Sequence, residues 1–535
     1  MLMKRLSRIL CLLLTALLLI SCFTPDSSGV NLQERSDGNA EDNYRTWYEI
    51  FVYSFCDSDG DGVGDLRGVI SKLDYLQELG INGIWLMPIH PSPTYHKYDV
   101  TDFYAIDPQY GAMEDFEELM EQCRERDIRV ILDLVLNHTS SQHPWFQAAC
   151  DYLRALEPGQ EPSFADCPYA DYYFFSREAL TPDYYPVEGT DWYYEGKFWS
   201  GMPDLNLENP ALREEIRNIM AYWMGKGASG FRLDAAKEYF SGQQSRNIQV
   251  LRFLTETAKS IDPNAYLVAE VWEGFTTIAD YYASGIPSIF NFPFGDGSGK
   301  IVAVLRGADN EKTVSSYATA QEKADRAYRA SNPDYIDAPF LSNHDTGRIA
   351  GFCSRDENKM KLAGAMNLMM SGSAFVYYGE ELGMPGSGSD PSKRAPMLWN
   401  EARNDGTTNP PPECELPEEY PLGSLETQRE DEHSIYQYYR RAIALRREYP
   451  VISHGIPTAE TALNHSCVSA TRKTWNGESC IILMNISTGE RRCDLTGYED
   501  FTLAGSLTVD EAPVTQQGNE LTLPPYAVAV LYQSR

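Results

Sequence analysis

Arg232 and Asp234, in the stretch "GFRLDAAKEY", stand two apart in a run of strand-forming residues. Side chains two apart in a strand point to the same face, so a guanidinium and a carboxylate share one surface. The cation favours the ionised carboxylate, which suits a nucleophile. Further on, "YLVAEVWEG" sets Glu270 at the end of an apolar run, where partly apolar surroundings raise a carboxyl pKa and suit a general acid. A third acid, Asp345, closes "FLSNHD" behind His344. Any one of these alone reads as a helix cap or a surface charge. Three acids at the ends of three strands read as a site.

A second group of acids lies in "DSDGDGVGDLRG", where Asp57, Asp59 and Asp61 alternate with other residues and Asp65 follows. Carboxylates crowded into a compact loop repel one another, and a hard cation with oxygen ligands neutralises them. An EF-hand needs a Glu at its twelfth position and helices on both sides. Here that position is Gly68, and the preceding "WYEIFVYSF" reads as a strand. On the loop alone, a solvated Asp/Gly turn and a cation loop both remain open.

Positioning such acids requires a scaffold. From Trp47 onward, apolar β-rich runs alternate with helical patterns: "WYEIFVY", "GIWLMPI", "RVILDLVL", "GFRLD", "AYLVAEV", "SIFNFPF", "DAPFLSN" and "AFVYYGE". Eight buried strands interleaved with helices predict a (β/α)₈ TIM barrel, in which chemistry gathers at the C-terminal ends of the strands. Residues 44–137 and 208–450 are assigned to this barrel. Residues 138–207 form a subdomain inserted after strand 3, whose Tyr and Trp residues offer faces on which a ligand could stack but are expected to pack its own small core. Beyond 450, strand-length segments with a hairpin signal at Asn476-Gly477 predict a C-terminal all-β sandwich domain over 451–535.

The N-terminus carries Lys4, Arg5 and Arg8, then "ILCLLLTALLLI", then Ser21 and Cys22. That apolar run is too short to span a bilayer comfortably and has the layout of a secretory signal over residues 1–21. "LISC" resembles a bacterial lipobox, which makes Cys22 the acylated first residue of an extracytoplasmic lipoprotein anchored to a membrane; the alternative is a plainly cleaved, secreted chain. Residues 22–43 are polar, as a flexible tether should be. The net charge of −32 disfavours nucleic acid and anionic membrane surfaces as partners and leaves a neutral substrate unaffected. Setting Cys11 and Cys22 aside leaves nine cysteines, an odd number with no CxxC metal spacing; Cys150 and Cys167 are a candidate pair.

These segments also carry a resemblance. "DLVLNH", "GFRLDAAK", "EVW" and "FLSNHD", with "HKYDVTDFY" upstream, resemble the α-amylase family of glycoside hydrolases, family 13, in order and spacing from about Tyr44 to the end. The resemblance implies a barrel with a domain inserted after strand three and a β-sandwich at the C-terminus. It implies Asp234 as nucleophile, Glu270 as general acid/base and Asp345 as transition-state stabiliser. By the same resemblance His138 and His344 hydrogen-bond the sugar being cleaved, Arg232 stands beside the nucleophile and Tyr98 forms an aromatic platform. Asp133 matches too, or simply orders the mouth of the third strand. The mechanism implied is retaining hydrolysis, in which the two carboxyls stand about 5 to 5.5 Å apart. In the oligo-1,6-glucosidase branch the first strand is followed by a structural calcium loop, which Asp57, Asp59, Asp61, Asp65 and the carbonyl of Val63 fit. At the family's other calcium site, Asn137 and Asp204 stand at two positions, and Glu238 stands where those enzymes often have His.

"MPDLN" and "YYGEELGMPG" resemble the group intermediate between oligo-1,6-glucosidases and neopullulanases, and Ala235 resembles α-1,4-acting members. The reading is therefore a monomeric α-1,4-glucan hydrolase acting on starch, maltodextrin or malto-oligosaccharides. A 4-α-glucanotransferase or an oligo-α-glucosidase or neopullulanase-type enzyme is the alternative within the same chemistry. A non-catalytic glucan-binding or assembly protein on this fold is the alternative from another class; such proteins usually lack one of the acids, and all three are present.

Overall fold

The structure, a computed structural model, describes residues 42–534 other than 158 and 418. The signal segment, the proposed lipid site Cys22 and almost all of the tether lie outside the described residues.

Strands β1 (Thr46–Ile50), β2 (Gly83–Leu86) and β3 (Arg129–Leu134) run parallel and adjacent. After β3 the chain leaves for the inserted segment, which holds β4 (Phe175–Ser176), β5 (Tyr184–Pro186) and β6 (Tyr193–Glu195) in a small antiparallel sheet. It then resumes with β7 (Gly230–Leu233), β8 (Tyr266–Ala269), β9 (Ser288–Ile289) and β10 (Ala374–Tyr377). The parallel sheet has the order β10-β1-β2-β3-β7-β8-β9. Helices such as α1 (Leu66–Ser71), α2 (Met113–Glu125), α3 (Pro210–Gly225) and α4 (Gln244–Ile261) connect the strands. Asn209 caps α3 by accepting from Ala211 N and Leu212 N, with Pro210 in the first turn, where its missing N–H costs nothing.

Seven strands, not eight, form ladders. The expected strand "DAPFLSN" occupies the remaining gap but joins β9 by a single parallel bridge, Phe290 to Ala338. Its carbonyls still accept on both sides, Ala338 O from Asn291 N at 3.0 Å and Pro339 O from Phe375 N at 2.8 Å. Pro339 has no N–H to return to a ladder, which leaves the segment irregular while it closes the barrel.

Period-two alternation separates two cores. Trp47, Trp85, Ile131, Tyr266, Val268 and Phe375 point inward and form a packed barrel interior, while their neighbours Tyr48, Ile84, Leu132 and Leu267 face the helices. The Trp47 indole lies on Gly83, where any Cβ would meet it at 2.5 Å, and stacks on Tyr266 at 5.0 Å. This aromatic plug is the floor beneath the acids.

The C-terminal region folds as β11 (Ile456–Ala459), β12 (Val468–Trp475), β13 (Glu478–Asn485), β14 (Arg491–Asp494), β15 (Thr502–Leu507), β16 (Thr515–Gln517), β17 (Glu520–Leu523) and β18 (Val528–Gln533). They make a five-stranded antiparallel sheet, β11-β12-β13-β18-β15, and a three-stranded one, β14-β17-β16, around their own apolar core. Asn476 and Gly477, at φ 49° and 85°, form the two-residue turn between β12 and β13. Cys150 and Cys167 are buried free thiols, so no disulfide joins the candidate pair.

Candidate active site

The acids converge because they all lie at or just beyond the C-terminal ends of strands of one barrel. Glu49 is on β1 and Asp133 on β3, Asp234 and Glu270 come just after β7 and β8, and Asp345 follows the irregular seventh segment. Asp234, Glu270 and Asp345 line one cavity of about 450 Å³ together with Tyr98 and His138.

Arg232, fully buried, organises the acids. Its NH1 meets Asp234 Oδ1 at 2.5 Å and Asp133 Oδ1 at 2.9 Å, and its NH2 meets Glu270 Oε2 at 2.8 Å. The guanidinium lies over Trp85 of the barrel floor at 5.2 Å. Burial opposes a charge on Arg232, but Asp133, Tyr98, Glu270 and Asp234 outweigh it and hold the cation. The same Glu270 oxygen accepts from Ala235 N at 2.9 Å, and Ala235 takes a left-handed φ of 46° to present that N–H. Asp234 Oδ2 and Glu270 Oε1 have no protein partner among the described residues. Each acid thus uses one oxygen on the scaffold and keeps one for a ligand.

Burial pushes the Asp234 carboxyl up to about 8, with Arg232 the largest opposing influence and Glu270, Asp133 and Asp345 adding to the rise. The expectation from sequence, that the neighbouring guanidinium lowers this pKa, is overturned by desolvation. The guanidinium is shared among three acids and cannot offset the burial of each. Asp133 is likewise pushed up by burial. Its oxygens go to Arg232 and to the Tyr98 hydroxyl at 3.0 Å, so it orders the mouth of β3.

The two histidines differ. His138 Nδ1 is 3.1 Å from Asn137 Oδ1, an acceptor because Asn137 Nδ2 donates to Glu238 O at 2.8 Å; Nδ1 therefore carries the proton. Nε2 makes no well-formed hydrogen bond, and burial, opposed by the Tyr98 backbone, lowers the His138 pKa to about 3, so the ring is neutral. His344 has both nitrogens engaged. Nδ1 meets Glu49 at 2.6 Å, and Nε2 lies 2.7 Å from the Tyr98 hydroxyl and 2.9 Å from Asp345 Oδ2. Burial disfavours its charge, yet Asp345 and Glu49 raise its pKa to about 9, which makes it an imidazolium. His344 was expected to bond the sugar directly; here it stacks on Tyr98 at 5.4 Å and holds Asp345.

Two groups near the acids were not anticipated: Arg394 binds Asp345 Oδ1 at 2.9 Å, and Glu49 charges His344. Trp199 of the insert, expected to pack the insert's own core, is exposed instead and lines the cavity with Phe198 and Trp272. "KRAPM" around Arg394 offers no strand end or acid spacing to mark it. Glu49 sits in "WYEIFVY", where a charge inside an apolar strand was the available signal.

In the acidic loop, the carboxylates of Asp57, Asp59 and Asp61 lie within 4.8 Å of one another, and none forms an ion pair among the described residues. Asp57 accepts from Asp59 N, Gly60 N and Gly62 N, Asp59 from Asp61 N and Asp61 from Val63 N, so the backbone winds around the three carboxylates. Clustered oxygens without a counter-charge fit a hard cation. Asp65 departs from the expected ligand set: it caps α1 through Gly68 N and holds Ser58 N and Oγ, so its role here is to brace the loop. The second calcium site does not fit. Asn137 and the Glu238 carbonyl bond each other directly, and the Asp204 carboxyl, pushed up to about 8 by burial, accepts among the described residues only from Lys197 N at 3.1 Å.

The family described as "Alpha amylase, catalytic domain" matches residues 49–455. The chain belongs to the α-amylase family. Among curated relatives, α-amylase 3 of Dictyoglomus thermophilum is 42% identical over 76% of this chain and 78% of that protein. Oligo-1,6-glucosidase of Parageobacillus thermoglucosidasius is 28% identical over 82% of this chain and 89% of that protein. Among solved structures, Eubacterium rectale Amy13B superposes with a TM-score of 0.89 at 43% identity, over 92% of this chain and 96% of that one. This α-amylase-family chain thus shares the barrel, the insert and the C-terminal sheets with a solved relative.

Proposed function

We propose that this protein is a retaining α-glucan hydrolase that cleaves α-1,4-glucosidic bonds in starch, maltodextrin or malto-oligosaccharides. The observation that carries the reading is the pair of carboxylates on neighbouring nitrogens of Arg232, each with one oxygen free. Such a pair favours the separation of about 5 to 5.5 Å used by retaining enzymes over the wider spacing that admits a water. In the reactive protonation state the proton held by the Asp234–Glu270 pair sits on the free oxygen of Glu270, which gives it to the glycosidic oxygen while the ionised Asp234 Oδ2 attacks the anomeric carbon. Glu270, now a carboxylate, takes a proton from water, whose oxygen displaces Asp234 and restores both groups. His138 Nε2 accepts a sugar hydroxyl, Tyr98 lies under the ring, and Asp345 faces the developing positive charge. The names of the relatives, α-amylase above all, support the substrate class.

The test is product analysis on soluble starch, pullulan and maltotriose. Short malto-oligosaccharides should appear from starch with the α configuration in the first-formed product, read by NMR. A β-configured product would overturn the mechanism, and longer oligomers appearing early from maltotriose would identify a glucanotransferase.

A structural Ca²⁺ held by Asp57, Asp59, Asp61 and the Val63 carbonyl belongs to the same reading. It would neutralise the loop on which the later segment 406–409 rests, through Asp57 N to Gly406 O at 2.9 Å and Asn409 N to Gly62 O at 2.7 Å. Adding Ca²⁺ at a hundredfold excess over its dissociation constant should stabilise the fold by about 2.7 kcal/mol. Differential scanning calorimetry should register a Tm gain of about 2 to 3 degrees, absent when the three aspartates are changed to Asn. An identical Tm with and without the ion would remove the site.

The layout of residues 4–22 supports a lipid anchor at Cys22, with β1 entering the barrel at the end opposite the acids. Cys22→Ser should then move the protein from the membrane fraction to the soluble one.

A further inference from the structure

Among the three acids, Asp345 is the one whose oxygens are both held by protein cations, Oδ2 by His344 Nε2 and Oδ1 by Arg394 NH2, each at 2.9 Å. The two clamps have different roots. His344 belongs to the barrel interior, where Glu49 offsets its charge. Arg394 arrives from the segment beyond β10 and is nearly fully buried. Its Nε donates to the His344 carbonyl at 3.1 Å and its NH1 to the Tyr95 hydroxyl at 3.3 Å. Its own carbonyl accepts from Ser54 Oγ at 2.7 Å, and neighbouring Lys393 donates from Nζ to the Asp345 carbonyl at 2.7 Å. Two more bonds root the same segment on the turn after β1: Met397 N to Ser54 O at 2.9 Å and Trp399 Nε1 to Phe55 O at 2.7 Å.

A guanidinium fixed at its other nitrogens presents NH2 in one direction only. Asp345 is partly exposed to the cavity, and among the described residues its carboxylate is bonded by these two cations alone. We propose that Arg394 is a positioning residue that acts through Asp345, setting the plane and charge of that carboxylate so that it faces the cationic transition state. This rests on the reading above that Asp345 faces the sugar being cleaved. Burial works against ionisation of Asp345, but His344 and Arg394 outweigh it and hold the carboxyl well below the usual carboxylate range. An ammonium would supply the charge without the planar fork, so Lys replaces Arg394 incompletely.

The test uses the whole enzyme with Arg394→Ala and Arg394→Lys. Misplacing a reacting group by about 1 Å costs on the order of 10²-fold, so kcat on a malto-oligosaccharide should fall by that factor in the alanine variant and by less in the lysine variant. KM should stay within about 3-fold of the wild type, because binding common to ground and transition states is kept. Free guanidinium should restore part of the alanine variant's activity. Calorimetry supplies the readout that a merely structural role would not move. In a Glu270→Gln background, Arg394→Ala should weaken a cationic amino-sugar mimic of the transition state in parallel with kcat, while neutral maltotriose binds as before. A kcat within about 3-fold of wild type, or equal weakening of both ligands, would overturn the proposal. An inactive wild type would overturn the functional reading instead, so the two failures are distinguishable.

Discussion

Asp234→Asn should lower kcat on soluble starch by on the order of 10⁴-fold or more, as loss of a nucleophile that acts in concert with an acid/base does elsewhere. The change replaces the attacking oxygen with an amide nitrogen and keeps the shape. An amide oxygen still accepts from Arg232 NH1, so circular dichroism and Tm should stay close to the wild type, and the loss reports chemistry rather than folding. The companion variant separates the two roles. Glu270→Gln should fail on starch, whose leaving oxygen needs a proton, yet turn over α-maltosyl fluoride to the glycosyl-enzyme, because fluoride departs without one. Azide, which needs no general base, should then release that intermediate. Asp234→Asn should fail on both substrates. If it kept wild-type activity, the free Oδ2 would have no role and the retaining mechanism would fall with it.

The convergence of the acids was legible because it depends on two regularities that the residues display. Period two put Arg232 and Asp234 on one face, and apolar runs ending in acids marked Glu270 and Asp345 as strand-end residues. The number of ladder strands was not legible: "DAPFLSN" has the apolarity of a strand, but Pro339 lacks the N–H that a ladder needs. Nor was the direction of the Asp234 pKa shift. Arg232 could be seen beside it, whereas the burial that outweighs Arg232 comes from β3, β7 and β8 packing together. Asp65 fits a ligand spacing in one dimension and a helix cap in three. Arg394 was invisible for the opposite reason, since its partner Asp345 is 49 residues away and no local pattern joins them.

Replacing Arg232 by Met should be the most disruptive single change in the barrel, destabilising the fold by about 3 to 5 kcal/mol, the usual cost of leaving a buried charge without its partner. The thioether fills much of the space over Trp85, so the loss is electrostatic rather than a cavity. Asp133 would keep only Tyr98, and Asp234 and Glu270 would lose the cation that holds both. The pH dependence identifies the cause. Asp234, held near 8 in the fold even with Arg232 present, stands above its unfolded value of about 3.9. A carboxyl raised in this way favours the folded state fully below the unfolded pKa and loses that contribution as pH rises through the folded one. Below about pH 7 wild type and variant both keep this proton in the fold and lose stability at the same slope; without Arg232 the folded pKa rises further, so the stability gap between them should widen between about pH 7 and pH 9. Adding Asp133→Asn to Arg232→Met should recover part of the loss, because one of the stranded acids is gone. Urea titrations at both pH values measure this directly, and a gap that stays constant across the window would mean that Arg232 stabilises by packing on Trp85 and not by holding the acids.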